Sequence, residues 1–303
     1  MIEVYIKSFD AFLRLEKGLS KASIEAYMSD LKKLNNFLKH AELDKLSIAN
    51  LALEHLQQFI HYLNELGLSP NSQARIVSSL KAFFRFLMIE NIILTDISEL
   101  LSAPKLHRNI PTVLSYQEVV ELFNTIDHSK KEGTRNRAIL EVLYACGLRV
   151  SELVNLKLSN LYFDVGFVRI IGKGNKERLV PIGESAIKHV RFYLQERNQQ
   201  ENIDPKSRDI VFLNRRGKQL SRNMVFIIIQ KLAKESKLTK TVSPHTFRHT
   251  FATHLIEGGA DLKIVQDLLG HESIITTEIY THLDMAYLKE TIQLFHPRSQ
   301  PKK

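Results

Sequence analysis

The first hundred residues carry one helix-junction signal twice. Gly18-Leu19-Ser20-Lys21-Ala22-Ser23 and Gly67-Leu68-Ser69-Pro70-Asn71-Ser72 share the form G-L-S-x-x-S. At the same offset Tyr27 matches Ile76, Leu31 matches Leu80 and Lys32 matches Lys81. Glycine favours the end of a helix and serine the start of the next, so each copy reads as a helix-to-helix junction. The flanking apolar residues agree, falling at helical spacing in four sets: Tyr5, Phe9, Phe12 and Leu13; Ile24, Tyr27, Leu31, Leu34 and Leu38; Leu53, Leu56, Ile60 and Leu63; Ile76, Leu80, Phe83, Phe84 and Leu87. Four amphipathic helices with matched junctions imply two helical hairpins packed as a small bundle. The second helix of each hairpin would then present its start to the same partner. Ser20, Ser23, Ser69 and Ser72 would cap helices or donate to phosphates, with Lys21 and Arg75 nearby. The candidate phosphate contacts here are Lys21, Ser23, Ser72 and Arg75, although plain N-capping explains the serines without any ligand.

At 303 residues the chain has length for two cores. Its formal net charge of +9 is unevenly spread. Residues 1–103 hold 11 Lys and Arg against 12 Asp and Glu, and the remainder holds 31 against 21. The basic excess belongs to the second part and points to a polyanion. Nucleic acid leads over an acidic membrane surface, because no basic amphipathic anchor is present. No apolar run is long enough to span a bilayer, and the N-terminus mixes charges among its apolar residues, unlike a signal peptide. The single Cys146 cannot form an internal disulfide and reads as a buried, inert thiol. A cytoplasmic protein without membrane association is expected.

Residues 101–115 place two prolines and basic residues between helical patterns, so a linker is expected at 104–114, with domains over 1–103 and 115–303. Such a join would let the two parts close around a ligand. Ser115-Tyr116-Gln117-Glu118 opens a helix with a glutamate in its first turn. A helical run from Arg135 to Cys146 stops at Gly147. Phe167–Ile171 and Arg178–Ile182 flank Gly172-Lys173-Gly174-Asn175 as the two strands of a hairpin. The rest is mostly helical through Leu294, and the polar tail from Pro297 is expected to be mobile. The fold class is mainly α with a small β-sheet.

The chemistry concentrates near the C-terminus. In Ser243-Pro244-His245-Thr246-Phe247-Arg248, serine suits an N-cap and proline the first helical position. His245 and Arg248 then share a face in the first turn, where free N–H groups and the helix dipole favour an anion such as phosphate. His245 and His249 have zinc-ligand spacing, but a zincin needs Glu where Thr246 stands, and Arg248 would repel a cation, so no metal is expected. Asp261 to Leu269 reads as a capped helix closed by Gly270, with His271 at its exit. Ser273 to Tyr280 reads as the start of another helix. Arg149, after a buried helix and its glycine stop, would project from a rigid base. Lys173, between two glycines at the hairpin tip, has reach. Taken singly, each of these residues also has an ordinary structural explanation.

Four stretches in order resemble the tyrosine recombinases of the lambda-integrase family, most closely the bacterial Xer type, with a lean to XerD over XerC. They are Cys146-Gly-Leu-Arg-Val-Ser-Glu-Leu153, Gly172-Lys-Gly-Asn-Lys-Glu-Arg178, His245-Thr-Phe-Arg-His-Thr-Phe-Ala-Thr-His254, and Leu268-Leu-Gly-His-Glu-Ser273 leading to Tyr280-Thr-His282. The resemblance covers essentially the whole chain. It implies an N-terminal SAM-like core-binding domain and a C-terminal α+β catalytic domain. It implies that Tyr280 attacks a DNA phosphodiester and forms a 3′-phosphotyrosine, that Arg149 and Arg248 clamp the phosphate, and that Lys173 protonates the leaving 5′-oxygen. His245 would assist proton transfer from Tyr280, and His271 would hydrogen-bond the phosphate. No cofactor is implied. The implied partners are double-stranded DNA at a specific site, a paralogous Xer recombinase in a heterotetramer, and a DNA translocase as activator. The implied role is resolution of chromosome dimers at a dif-like site. The amphipathic segment from Met285 to Phe295 is expected to pack on a neighbouring protomer. An integrase of a mobile element, a type IB topoisomerase and a non-catalytic DNA-binding protein are the competing readings.

Overall fold

The computed structural model describes residues 2–104, 111–130, 132–270 and 282–299. The chain divides into two compact units, residues 1–109 and 110–303, each with its own apolar core. Most of the expected linker lies outside the described residues.

The N-terminal unit consists of α1 (Ile2–Leu15), α2 (Lys21–His40), α3 (Leu53–Glu65) and α4 (Pro70–Ile89). Its matched junctions form as their residues dictate. Gly18 and Gly67 turn the chain with φ of 55° and 71°. The Ser20 and Ser69 hydroxyls accept from the backbone N–H of Ser23 and Ser72, at 3.3 and 3.4 Å. Pro70 sits in the first turn of α4, where its missing N–H leaves no bond unmade. The helices bury Phe9, Leu31, Leu34, Leu56, Phe59, Leu80, Phe83 and Phe84. Phe9 meets Phe83 edge-on, with centroids 5.4 Å apart. Each such side chain contributes about 1.5–3 kcal/mol by leaving water.

The C-terminal unit is built around α6 (Gly133–Cys146), in which every residue from Ala138 to Cys146 is buried. A helix apolar on all sides belongs inside a core. Here α8 (Glu184–Asn198) and α10 (Pro244–Gly258) both pack against it. Cys146 is buried, as expected, and burial pushes its thiol pKa up to about 12. Ser115 and Glu118 form the expected capping box of α5 (Tyr116–Asn124). The hairpin forms as β2 (Phe167–Ile171) and β3 (Glu177–Pro181), antiparallel, with Ile170 opposite Arg178 and Val168 opposite Val180. A third strand, β1 (Leu161–Tyr162), adds to its edge in the order β1-β2-β3. At two residues it is too short to show an alternation in the sequence. The remaining helices are α7 (Val150–Val154), α9 (Arg222–Glu235), α11 (Leu262–Leu269) and α12 (His282–Phe295). The helix expected from Ser273 to Tyr280 lies outside the described residues.

One expectation about the C-terminus needs correcting. Within the single chain, Leu288 and Ile292 of α12 are buried in the core that α6 and α10 share. Gly258 makes this approach possible, since a Cβ there would lie 2.7 Å from the Phe295 carbonyl oxygen. The tail expected to be mobile is anchored as far as Ser299. Arg298 Nη2 donates to the buried Glu141 carboxylate at 2.6 Å. His296, 1% exposed, donates from Nε2 to the Tyr144 carbonyl and accepts at Nδ1 from the Arg298 N–H, both at 3.3 Å. A buried carboxylate needs a cation, and this tail supplies one of them.

Two consequences can be measured. Gly147 has φ 57°, and a Cβ there would lie 2.4 Å from the Phe251 ring. Gly147→Ala therefore combines left-handed strain of about 1–2 kcal/mol with a core clash, and should lower the urea midpoint by more than strain alone. Secondly, burial holds the His296 pKa down at about 4, with His254 and Arg298 adding to the effect. Its unfolded value is about 6.5. The stability it confers is complete above pH 6.5 and falls as pH drops toward 4, by up to about 1.4 kcal/mol per unit. Urea titrations should show that fall, and His296→Gln, which keeps a donor and an acceptor, should flatten it. His189, also lowered to about 4 by burial and by Arg137, leaves a residual slope.

Candidate active site

The carbonyl end of α11 is where the candidate residues meet. Helix ends leave carbonyls without intrahelical partners. Gly270 closes α11 in a left-handed conformation, and three successive carbonyls there accept from three different arginines. Arg178 Nε donates to the Leu268 carbonyl at 2.9 Å, Arg248 Nη2 to Leu269 at 2.6 Å, and Arg149 Nη2 to Gly270 at 3.3 Å. Guanidinium groups there also meet the negative pole of the helix.

Each arginine is fixed from a second side. Arg248 lies one turn into α10, 8% exposed, and Nη1 donates to the Gly147 carbonyl at 2.9 Å. Ser243 and Thr246 hold that turn through reciprocal caps. Arg149 is the N-cap of α7, and its N–H donates to Glu152 Oε2 at 2.8 Å while Nη1 donates to Oε1 at 3.0 Å. Arg178, on β3, meets the same carboxylate with both terminal nitrogens at 2.9 Å. Burial raises the pKa of Glu152, but the bonds and charge of Arg178 and Arg149 outweigh it and hold the carboxyl below its usual value. Burial, reinforced by Arg149 and Arg178, lowers Arg248 to about 10, which leaves it cationic at neutral pH.

The expected site residues fall as follows. Arg149 and Arg248 come together, with the Arg149 side chain still 37% exposed. His245 is exposed at the start of the same helix as Arg248. Lys173 opens a single helical turn, Lys173–Asn175, between β2 and β3. That turn leaves the network directly, since a Cβ on Gly172 would lie 3.7 Å from Glu152 Oε1 and 3.8 Å from Arg178 Nη1. The Lys173 side chain, His271 and Tyr280 lie outside the described residues. In the N-terminal unit, the Ser23 and Ser72 hydroxyls pair with their cap serines at 2.9 and 3.0 Å. Lys21 is exposed, and Arg75 donates to Asp30 at 2.5 Å.

Glu152 and Arg178 carry no role in the sequence reading, although both stand in its motifs. The signal for Arg178 was its register: it shares the buried face of β3 with Val180, and a charged residue on that face needs a buried counter-charge. Glu152 stands three residues after Arg149, where a carboxylate completes a first-turn cap. Guanidinium groups fixed around one helix end make a rigid receptor for oxyanion oxygens, with no reorganisation left to do when charge develops.

The described architecture agrees with the relatives. Residues 112–286 match the model of the phage integrase family, and residues 6–91 that of the phage integrase N-terminal SAM-like domain. Tyrosine recombinase XerD of Staphylococcus saprophyticus is 40% identical over 299 residues, covering 99% of each chain. The crystal structure of XerH site-specific recombinase bound to palindromic difH substrate superposes with a TM-score of 0.68 at 25% identity, covering 90% of this chain and 80% of that one. A lambda integrase tetramer bound to a Holliday junction shares the fold, with a TM-score of 0.71 at 19% identity over 93% of this chain and 80% of that one. The chain belongs to the phage integrase family and is a XerD-like, site-specific tyrosine recombinase.

The shared carboxylate generates a test. Glu152→Ala leaves Arg178 buried without its counter-charge and should cost about 3–5 kcal/mol in urea denaturation. Combining Glu152→Leu with Arg178→Met should recover most of that loss. A single-variant cost below about 1 kcal/mol would contradict the network described.

Proposed function

We propose that this enzyme cuts and rejoins double-stranded DNA at a specific site through a 3′-phosphotyrosine intermediate formed on Tyr280, and that it resolves chromosome dimers at a dif-like site. The observation that carries this reading is the fixing of Arg149, Arg178 and Arg248 on the helix end that leads directly into the segment bearing His271 and Tyr280. The difH substrate named for XerH supports the dif-like site.

The chemistry follows from these groups. A phenol has a pKa of about 10, so it attacks at neutral pH only with a base or a cationic setting. His245 takes the phenol proton as the Tyr280 oxygen bonds to phosphorus. The bond to the 5′-oxygen breaks, and Lys173 supplies the proton to that oxygen. Arg149 and Arg248 hold the nonbridging oxygens, where negative charge builds, and His271 adds a hydrogen bond. The phosphotyrosine keeps the energy of the phosphodiester. A 5′-hydroxyl can therefore attack it and release Tyr280 without ATP.

Each unit contributes a DNA-facing surface, with Lys21, Ser23, Ser72 and Arg75 on the N-terminal one. Four protomers assemble for exchange, with a paralogous Xer recombinase supplying half of them and a DNA translocase activating the complex. The enzyme acts in the cytoplasm; among the described residues no helix is long and apolar enough to cross a membrane.

A nicked suicide duplex carrying the chromosomal binding site tests the reaction. Wild type should trap a covalent protein–DNA adduct on a denaturing gel, and Tyr280→Phe should trap none. Arg248→Ala should slow adduct formation by about 10²–10³-fold, the loss typical of one oxyanion donor. An adduct from Tyr280→Phe would show another nucleophile. No wild-type adduct on any site bound in the genome would favour a DNA-binding protein without catalysis. Binding sites flanking a mobile element, rather than one near the replication terminus, would favour an integrase.

A further inference from the structure

The two matched helices of the N-terminal unit meet at a buried charge. Asp30 stands ten residues after the α2 cap Ser20, and Ser79 stands ten residues after the α4 cap Ser69. These equivalent positions touch, with Ser79 Oγ donating to Asp30 Oδ2 at 2.8 Å. Asp30 is fully buried. The same Oδ2 accepts from Arg75 Nη1 at 2.5 Å. Its other oxygen, Oδ1, has no hydrogen-bond partner and lies 3.6 Å from Lys33 Nζ. One buried carboxylate thus draws two cations to the seam between α2 and α4.

Neither cation is used up. The side chains of Arg75 and Lys33 are 49% and 38% exposed. Arg75 keeps donors beyond the one given to Asp30, and Lys33 otherwise reaches only Ser29 on its own helix. If the seam served only to join the helices, burying a carboxylate would be a poor means, because an apolar pair of similar volume usually holds as well or better. A carboxylate does something an apolar pair cannot: it fixes the direction of a guanidinium whose outer edge faces solvent. Both cations are held within a few ångströms of the same group, a spacing that suits one phosphate.

We propose that Arg75 and Lys33 form one DNA backbone phosphate site on the α2–α4 seam, with Asp30 as the positioning residue that orients them. This rests on the DNA-binding reading given above and adds Lys33 and Asp30 to it. The sign of the Asp30 effect separates positioning from charge alone. Removing a negative charge beside a polyanion should tighten binding by simple electrostatics. Removing a positioning group should weaken it.

The test measures affinity of the full chain for a fluorescein-labelled random-sequence duplex by anisotropy across a salt series, since such binding is dominated by phosphates. Arg75→Gln and Lys33→Gln should each weaken binding by about threefold or more and make the logarithmic salt slope shallower by about one. Asp30→Asn should also weaken binding, despite the raised net charge, and should add nothing in a background that carries both Arg75→Gln and Lys33→Gln. Thermal melting checks that the variants are folded. If Asp30→Asn does not fold, Arg75→Lys serves instead: it keeps the charge but not the fork that Asp30 orients, and should bind nearly as weakly as Arg75→Gln. Asp30→Asn binding as tightly as wild type or tighter, or Arg75→Lys binding like wild type, overturns the positioning role. Unchanged binding by Arg75→Gln and Lys33→Gln overturns the site while leaving the recombinase reading intact. No binding by wild type overturns both.

Discussion

Three arginines on one helix end hold the C-terminal unit in its working arrangement. The Leu268, Leu269 and Gly270 carbonyls would otherwise be unsatisfied at the end of α11, beside the negative pole of that helix. Arg178, Arg248 and Arg149 answer them from β3, α10 and the start of α7. Three cations so close together would repel one another, and Glu152, buried beneath two of them, offsets that repulsion. The result is a receptor whose charges are fixed before any substrate arrives. For chemistry in which negative charge grows on phosphate oxygens, such prior fixing is the largest contribution a protein can make.

The scaffold explains why the receptor is rigid. Buried on nearly every side, α6 cannot move without opening the core, and its glycine stop turns the chain within two residues of Arg149. The Gly147 carbonyl also accepts from Arg248, so one backbone position fixes both arginines proposed as the phosphate clamp. Also on α6, Tyr144 accepts from His296 through its carbonyl, and the buried Glu141 takes Arg298. The same helix therefore supports the proposed phosphate clamp and the anchor of the C-terminal segment.

Much of the fold was legible because local chemistry and tertiary packing agree. Gly18, Gly67, Gly147 and Gly270 all turn the chain with positive φ, and Ser20, Ser69, Ser115, Ser243 and Asp261 all cap helices. Apolar spacing marked the faces that are buried. Arg149 and Arg248 were legible as candidates because motif and helix-start position coincide. Glu152 and Arg178 each carried a local signal, a cap position and a buried strand register, but their pairing across 26 residues leaves no local pattern. The serines of the N-terminal unit were legible as caps, but nothing local showed that Arg75 would meet Asp30 across 45 positions.

By itself the sequence determined the helices, their ends, the hairpin and the list of groups able to act on a phosphodiester, because each depends on residues within a turn or two of one another. Only the tertiary structure decided which charges share a partner. It placed two arginines on one buried carboxylate, gave three successive carbonyls to three separate elements, and packed α12 against α10 and β3. Those outcomes depend on which surfaces meet when the cores close, and burial then sets a cost on every charge left without a partner.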